Sequence, residues 1–417
     1  MRNKKILIAH PGRQHSFRTA TALKKAGLLD KYVTTVYYKD GNLTSFVLKF
    51  LNRRNLQKAK QRRCDYLSDH EVIQCHEALG LMILLAMRLP FASLTRWLNE
   101  IMLHRFGISV AKMAIHNNVD AVIMYDNTSV SCFEYLEKHA PNIRRILDAS
   151  TVNRLYIRKI YDKDMVETGT SFFKDNLPFL WDKKMQLRYT KEMELSDNIF
   201  VPSRFVYNSY IDCGVSPKKL IRIPYGVDTE KFNCEVRKPH ALPVKLIYVG
   251  QVSYYKGLQH LFPIIRDLYK NRIQLTVVGG YDANDYLYKE FCTAENIHFL
   301  GYVTNKYLPA LYAESDAFII PSLGEGYGLV RLEALSSALP VLCSANCGGN
   351  DAIINGYNGY EFKAGDDEDM VDKINDFIDN FSSLSDMSEN ARATSLNYTW
   401  EKYEGRVISF FKNLEQK

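Results

Sequence analysis

Two carboxylates within one glycine-rich segment are the side chains of this chain with the clearest chemical potential. Glu325 lies between Gly324 and Gly326, and Glu333 follows eight residues later. A carboxylate holds hydroxyl groups through charge-assisted hydrogen bonds, whereas it repels a phosphate. Glycines let a backbone approach a ligand closely, and a helix that begins near Tyr327 would offer free N–H groups to a diphosphate. The segment therefore indicates a ligand that carries a diphosphate between hydroxyl groups, which is the layout of a nucleotide sugar.

Short apolar runs alternate with helical stretches along both halves of the chain, and this alternation places the carboxylates after a strand. The predicted strands are residues 6–9, 32–38, 121–125, 145–147, 198–201 and 220–223, followed by 245–249, 274–278, 297–300, 317–320 and 341–343. Residues 42–118 are predicted to be mostly helical, without a clean strand. Alternation of this kind implies parallel sheets, and ligands bind beyond the carboxyl ends of their strands.

The length of 417 residues predicts two domains, because a single core of ordinary size does not extend over so many residues. We predict a first domain over residues 1–235 and a second over residues 236–395. The segment 233–243 holds two prolines and several charges, and it is the predicted linker. Two alternating series in succession predict two doubly wound α/β domains.

Glu325 and Glu333 match the E-x7-E signature of the family 4 glycosyltransferases, and other segments resemble the same family. These segments are Ile223–Asp228 with Phe232, Val249–Gly250 with Lys256–Gly257, and Phe299–Val303. The resemblance is strong from about residue 198 to 345 and weak over residues 1–197. It implies the GT-B fold, in which two Rossmann-like domains face a central cleft, and transfer of a sugar with retention of its anomeric configuration. It also implies that a final helix within residues 396–417 packs back on the first domain.

The resemblance implies a role for each matching residue. Glu333 would bind the ribose hydroxyls, Glu325 the donor sugar at the reacting face, and Lys256 the diphosphate. Glu325 and Lys256 are therefore the expected catalytic residues, and Gly12 would approach the donor from the opposite domain. The complete expected donor set is Gly12, Gln251, Lys256, Tyr302, Glu325, Gly326, Tyr327, Gly328, Leu329 and Glu333.

The sequence departs from the family pattern at two places. Gln251 stands where the family usually has an arginine, so one positive charge at the leaving group is lost, and Arg13 or Arg204 could substitute for it. The family often has a histidine at the strand end that Asp148 and Ser150 occupy here. The expected residues on the acceptor or sugar side are Arg13, His15, Asp148, Ser150 and Arg204.

Each of these features also has a purely structural interpretation. The segment 317–335 could be a plain strand, turn and helix with solvated glutamates. His10 and His15 could be solvated turn residues, and the basic run 49–63 could be a solvated helix face. The eight cysteines lack the spacing of a zinc site, which favours buried free thiols and a reducing cytoplasm.

The composition bounds the function further. A net charge of +7 is mild for this length and suits an anionic donor or membrane surface rather than nucleic acid. The most apolar run, Leu79 to Met87, is far shorter than the roughly 20 residues of a membrane span. We expect a hexosyltransferase-type enzyme of cell-surface polysaccharide biosynthesis, with a nucleotide-sugar donor, a glycan or lipid-linked acceptor and no metal cofactor. It would be cytoplasmic, with the basic run 49–63 near the inner face of the cell membrane.

Two alternatives stay open at this stage. A nucleotide-sugar epimerase of similar fold would need no acceptor. A non-catalytic subunit of a glycan-assembly complex would bind the donor without turning it over, and the glutamine at Gln251 is the feature that suggests it.

Overall fold

The computed structural model describes residues 4–12, 15–48, 62–89, 92–348 and 351–414. Seven parallel strands form the first sheet, in the order β3-β2-β1-β4-β5-β6-β7. They are β1 Ile6–Ala9, β2 Leu29–Thr34, β3 Val72–Gln74, β4 Ala121–Tyr125, β5 Arg144–Asp148, β6 Asn198–Val201 and β7 Leu220–Arg222. The central strands β1 and β4 are buried along their whole length, as expected for a sheet with helices on both faces.

Six parallel strands form the second sheet, in the order β10-β9-β8-β11-β12-β13. They are β8 Val244–Val249, β9 Ile273–Val278, β10 Ile297–Gly301, β11 Ala317–Ile320, β12 Val341–Ser344 and β13 Gly359–Phe362. In both sheets the strand order reverses beside a central strand, which is the topology of a doubly wound α/β domain. The predicted fold class is therefore confirmed.

The helices of the described residues connect these strands and cover the two sheets. Those of the first half are α1 Ser16–Lys25, α2 Leu43–Leu48, α3 Glu77–Ala86, α4 Ala92–His116, α5 Val130–His139, α6 Arg154–Thr168, α7 Phe172–Asn176, α8 Lys183–Leu195 and α9 Arg204–Ile211. Those of the second half are α10 Leu258–Leu268, α11 Tyr286–Phe291, α12 Leu308–Ala313, α13 Leu329–Ser336, α14 Asp367–Asp379, α15 Leu384–Ser395 and α16 Trp400–Lys412.

The predicted strands differ from the structure at three places. The second strand is β2 at Leu29–Thr34 rather than residues 32–38, because the chain leaves the sheet at Thr35 while Val36 and Tyr37 stay buried beyond its end. β3 and β13 were not predicted. They are edge strands of three and four residues, and a run that short has too little periodicity to be distinguished from a loop.

The last helix lies on the first sheet's helical layer, although it follows the second sheet in sequence. Helix α16 packs against α1, where Tyr403 Oη lies 2.8 Å from Thr19 Oγ1 and Lys25 Nζ donates to Glu404 Oε2 at 2.7 Å. The chain thus passes between the sheets twice, once after β7 and once before α16. The two passages lie side by side, because the Val227 N–H donates to the Tyr398 carbonyl at 2.9 Å.

Gly226 is the point of closest approach between the two passages. A Cβ on this residue would lie 2.3 Å from Trp400 N and 2.4 Å from Thr399 C, which are backbone atoms that cannot move aside separately. Only a residue without a side chain therefore lets the two passages touch at this position.

We predict that Gly226→Ala lowers the thermal unfolding midpoint, since overpacking of this kind costs about 1–3 kcal/mol. Gly405→Ala is the matched control. Gly405 lies inside α16. Apart from its chain neighbours and the backbone of the helix itself, no heavy atom of the described residues lies within 4 Å of a Cβ added there. That change should raise the midpoint slightly, because alanine favours a helix interior over glycine by roughly 0.5–1 kcal/mol. Equal midpoints for the two variants would contradict the packing described here.

Candidate functional site

Lys256 and Glu325 meet where the loops after β8 and β11 leave the second sheet. Lys256 Nζ donates to Glu325 Oε1, and Ser322 Oγ donates to the same oxygen at 3.0 Å. Their side chains are 20% and 17% exposed, so the pair is partly open to solvent and not inside the core. The structure thus joins the two residues that the sequence predicted to be catalytic.

Gly257 holds the lysine in this position. It ends the short helical turn Tyr254–Lys256 with φ 72°, a backbone conformation that side chains disfavour. A Cβ here would lie 2.0 Å from the carbonyl oxygen of Pro321, the residue that follows β11. The two loops can therefore approach closely enough for Lys256 to reach Glu325.

Gln251 occupies the same loop as Lys256 and is exposed. Its side-chain oxygen accepts a hydrogen bond from Tyr255 Oη at 2.6 Å, and its carbonyl oxygen accepts one from Tyr248 Oη at 2.9 Å. Lys256 is the one cationic residue between Gly250 and Gly257 in the sequence. This loop therefore offers a single side-chain cation to a ligand.

Glu333 lies on α13 with one carboxylate oxygen unsatisfied. Within the described residues, its buried Oε2 has no hydrogen-bond partner. Burial raises the pKa of Glu333 to about 7, against the opposing effects of Lys231, Asn305 and Tyr312. A buried acceptor without a partner is costly, and two hydroxyl groups of a ligand are the donors that would satisfy it.

The glycine-rich loop after β11 touches the first domain. A Cβ on Gly324 would lie 2.2 Å from Ile157 Cδ1, and one on Gly326 would lie 2.0 Å from the carbonyl oxygen of Ser150. Ser203 Oγ also donates to the Gly326 carbonyl at 3.0 Å. From the sequence these glycines were expected to approach a ligand closely. In the structure the backbone of the other domain requires a glycine at Gly326, whereas a Cβ on Gly324 would meet only the end of the Ile157 side chain.

The rest of the segment forms the start of α13. Gly328 has φ 64° and immediately precedes the helix, whose first residue, Leu329, is partly exposed. Tyr327 is buried, with a ring centroid 5.3 Å from that of Tyr225. Tyr302 follows β10 and is 77% exposed. The N–H groups at the start of α13 and the exposed Tyr302 ring thus lie at the carboxyl edge of the second sheet.

His15 and Asp148 meet at the carboxyl edge of the first sheet. His15 Nε2 lies 2.9 Å from Asp148 Oδ2 and 3.2 Å from Tyr225 Oη. Asp148 is buried at the end of β5, so its carboxylate orients the imidazole. His15 and Asp148 were predicted separately from the sequence, but Tyr225 was not, because it lies 210 positions from His15.

The neighbouring turn contains Gly12, whose N–H donates to His10 Nδ1 at 2.9 Å. His10 is buried and not solvated, and burial is the main reason that its pKa is lowered. Arg13, one of the two predicted substitutes for the missing cation, lies outside the described residues.

Ser150 and Arg204 have other partners in this structure. The Ser150 hydroxyl donates to Asp126 Oδ1 at 3.2 Å, beside the Thr151 hydroxyl, which donates to Asp126 Oδ2 at 2.6 Å. Arg204 begins α9, where its N–H donates to Asp351 Oδ2 at 2.8 Å and its side chain is exposed. The structure thus brings the Ser150 backbone to the glycine-rich loop, while its side chain points to Asp126.

A histidine bridge between the domains was also missed. His260 of α10 lies between two carboxylates, with Nε2 2.7 Å from Asp164 Oδ1 of α6 and Nδ1 2.7 Å from Asp367 Oδ1 of α14. Burial opposes the charged ring, but the two carboxylates outweigh it and raise the pKa of His260 to about 9. No local sequence pattern connects residues separated by 96 and 107 positions.

The sequence of the second half of the chain matches a known protein family. Residues 235–394 match the glycosyl transferases group 1 family. A sulfoquinovosyl transferase of Arabidopsis thaliana is 32% identical over 219 residues, which are 49% of this chain and 42% of that protein. An O-antigen biosynthesis glycosyltransferase of Escherichia coli is 36% identical over 170 residues, which are 40% of this chain and 47% of that protein. The chain therefore matches less than half the length of either relative.

Solved structures resemble the chain over nearly its whole length. Sucrose-phosphate synthase from Thermosynechococcus elongatus superposes with a TM-score of 0.66 at 16% identity, covering 98% of both chains. HepE of Anabaena, solved in complex with UDP, superposes with a TM-score of 0.62 at 13% identity, covering 99% of this chain and 100% of that one. At such identities the likeness concerns the fold. Residues 235–394 therefore resemble the glycosyl transferases group 1 family, and the chain as a whole has the GT-B fold that the resemblance implied.

Proposed function

We propose that this protein is a retaining glycosyltransferase that moves a sugar from a nucleotide-diphosphate sugar to a glycan or lipid-linked glycan. The observation that carries the proposal is the pairing of Lys256 with Glu325 in the glycine-rich loop before α13, together with the buried Glu333 Oε2 on α13, which has no hydrogen-bond partner among the described residues. The cation and the free N–H groups complement a diphosphate. The two carboxylates complement hydroxyl groups on either side of that diphosphate.

The names of the relatives support the same class of reaction. The relatives include glycosyltransferases of O-antigen and capsular polysaccharide biosynthesis. Solved structures of similar fold contain UDP or UDP-glucose. Envelope polysaccharide synthesis is therefore the process that we propose for this protein.

The proposed chemistry begins with an exchange of partners. The donor diphosphate would take Lys256 from Glu325, and Glu325 would then be free to accept hydrogen bonds from the sugar. Lys256 and the N–H groups at the start of α13 would stabilise the charge that develops on the leaving diphosphate. The sugar–phosphate bond breaks, the acceptor hydroxyl attacks the same face, and the leaving phosphate takes its proton.

The acceptor would approach from the first domain. His15, Asp148 and Tyr225 form a polar cluster at the carboxyl edge of the first sheet, and Gly12 lies in the adjacent turn. We propose that this edge receives the hydroxyl group to be glycosylated, while the Tyr302 backbone meets the nucleotide base.

One observation favours a second candidate function. Gln251 leaves the donor loop with one side-chain cation, which fits a non-catalytic subunit that binds a nucleotide sugar without transfer. Donor binding without any product in the presence of acceptors would indicate this role. Product formed from the donor alone would indicate an epimerase.

Location and cofactor use complete the proposal. The eight cysteines are free thiols, which suits a reducing cytoplasm. No helix in the part of the chain that the structure describes is long and apolar enough to span a membrane.

The basic run 49–63 falls mostly outside the described residues, so contact with an anionic membrane is proposed on its charge alone, and cosedimentation with anionic vesicles tests it. Turnover should require no added metal, which retained activity in EDTA would support.

A panel of nucleotide sugars tests the proposal most directly. A donor at 100 times its dissociation constant should stabilise the protein by roughly 2.7 kcal/mol, which a thermal shift assay detects. Transfer from the donors that bind is then measured with a set of glycan acceptors. No stabilisation by any nucleotide or nucleotide sugar would refute the proposed donor site.

We predict that Lys256→Ala weakens binding of the matching nucleoside diphosphate and lowers transfer on the order of 10- to 100-fold. The reason is the loss of a hydrogen bond to a charged group, worth about 1.5–3 kcal/mol. Calorimetry and initial rates provide the measurements. Lys289→Ala is the control, because Lys289 is an exposed lysine of the same domain on α11. Unchanged binding and turnover in Lys256→Ala would remove the lysine from the site.

We predict that Glu333→Gln changes the pH dependence of stability and also weakens nucleotide binding. With a pKa near 7 when folded and an ordinary value near 4.5 when unfolded, Glu333 binds more protons in the folded state within this window. Its contribution to the free energy of unfolding therefore falls as pH rises from about 4.5 to 7. Glutamine removes this loss, so the variant should gain thermal stability relative to the wild type at about pH 8 but not at pH 5.

Exposed Glu314, beside α12, provides the control Glu314→Gln. This change should shift the unfolding midpoint equally at both pH values. A Glu333→Gln protein that behaved like this control would show that the carboxyl group is not held at a raised pKa.

A further inference from the structure

The imidazole of His260, in the first turn of α10, contacts both domains. Its Nε2 lies 2.7 Å from Asp164 Oδ1 on α6 of the first domain, and its Nδ1 lies 2.7 Å from Asp367 Oδ1 on α14 of its own domain. The side chains of His260 and Asp164 are 7% and 3% exposed, whereas that of Asp367 is 58% exposed. The contact that crosses between the domains is therefore the buried one.

Asp164 receives its side-chain hydrogen bonds from the second domain. Among the described residues, its carboxylate accepts from His260 Nε2 and, at 3.2 Å, from Gln259 Nε2. Both donors belong to α10, so separation of the domains breaks both bonds. Hydrogen bonds to a charged and buried group are the strong ones, and these two therefore oppose the separation.

An apolar contact lies beside this polar one. The ring of Phe172 on α7 of the first domain stacks on that of Tyr254, with ring centroids 4.3 Å apart. Tyr254 begins the short helical turn Tyr254–Lys256, which directly precedes α10. We name Asp164, Phe172, Tyr254 and His260 the interdomain clasp.

The interdomain clasp fixes where Lys256 lies relative to the first domain. Along the chain, Lys256 stands between Tyr254 and His260, the two members of the clasp that belong to the second domain. The backbone between them is held as well, because the Lys256 N–H donates to the Ser253 carbonyl at 3.1 Å and the His260 N–H donates to the Gly257 carbonyl at 3.2 Å. The lysine therefore stays close to the first domain while both contacts persist.

We propose that His260 is a positioning residue that, through Asp164, holds the cleft closed on the Lys256 side and slows the exit of the nucleoside diphosphate. This inference rests on the proposed glycosyltransferase function and concerns how long that site retains its nucleotide. A ligand that binds between two domains enters and leaves when they separate. The strength of the contact between His260 and Asp164 should therefore influence the rate of exit.

The charge of the imidazole makes this contact dependent on pH. Burial opposes protonation, but Asp164 and Asp367 outweigh it and raise the pKa of His260 from 6.5 to about 9. In an open form the ring would lose Asp164, and its pKa would be lower. The closed form thus binds more protons, so the contribution of His260 to closure is fully present below about pH 6.5 and is lost as pH rises through about 9. The other titratable groups on the elements packed against α10 are paired elsewhere or exposed, and they are Lys256 on the preceding turn, Glu290 on α11 and His298 on β10.

Stopped-flow displacement of mant-labelled UDP, GDP and ADP from the full chain by unlabelled nucleotide measures the rate of exit. Asp164→Asn should accelerate dissociation on the order of tenfold at pH 7, because it removes a hydrogen bond between charged groups. The wild-type rate should rise towards that of the variant as pH approaches 9.5, while the rate of the variant changes little. His260→Gln removes the titrating ring and should abolish the same pH dependence. Equal rates for the wild type and Asp164→Asn at pH 7 would overturn the proposal.

Asp367→Asn is the matched control. Asp367 lies at the same distance from the imidazole as Asp164 but belongs to the same domain as His260. The control should shift the rise of the dissociation rate to lower pH, without accelerating dissociation at pH 6, where the ring is still protonated. Equal acceleration by Asp164→Asn and Asp367→Asn at pH 6 would show that the histidine stabilises the second domain alone, which contradicts a role in closure.

Small-angle X-ray scattering of the ligand-free chain tests the interdomain clasp without a nucleotide. At pH 7, Asp164→Asn should have a larger radius of gyration than the wild type, and the two radii should approach each other at pH 9.5. If none of the three nucleotides binds, the proposed donor site fails and the radii decide: a larger radius in Asp164→Asn supports the clasp, and equal radii refute it. Nucleotide binding with equal dissociation rates and equal radii in the two proteins would refute the clasp and leave the proposed function intact.

Discussion

The two domains contact each other at Gly326, a residue that has no side chain. A Cβ on Gly326 would lie 2.0 Å from the Ser150 carbonyl oxygen, so the glycine-rich loop can rest against the first domain because it has none. This contact places Glu325, on the same loop, beside the turn that follows β5. It also means that the glycine-rich loop contacts both domains at once, so a change in the separation of the domains would move the carboxylate that we propose to hold the donor sugar.

The charged side chains at the carboxyl edge of the second sheet are neutralised or partly protonated in the absence of a ligand. Lys256 and Glu325 neutralise each other in the structure, and Glu333 avoids part of the cost of burial through a pKa raised to about 7. A donor diphosphate would enter as the stronger partner for Lys256. Because Gln251 is uncharged, the electrostatic stabilisation of the leaving group would depend on one lysine and on the backbone dipoles of α13.

A second contact between the domains is electrostatic rather than steric. His260 lies between Asp164 of the first domain and Asp367 of the second, and these carboxylates keep the imidazole protonated at neutral pH. Opening the cleft on this side would separate a charged pair that is buried. The glycine contact and the histidine bridge therefore hold the two domains in one arrangement by different physical means.

The sequence by itself determined the two doubly wound sheets, because alternating apolar runs and helical periods are local properties of a chain. It also singled out Lys256, Glu325 and Glu333 as candidate site residues, since the segments that contain them resemble the motifs of a known family and such motifs are local in the sequence. Edge strands β3 and β13 were too short for such patterns.

The tertiary structure alone decided that Tyr225 joins His15, that His260 bridges the domains, and that Gly324 and Gly326 lie at the interdomain contact. Each of these depends on distances between residues far apart in the chain, which are set by how whole helices and sheets pack and not by any pattern of neighbours.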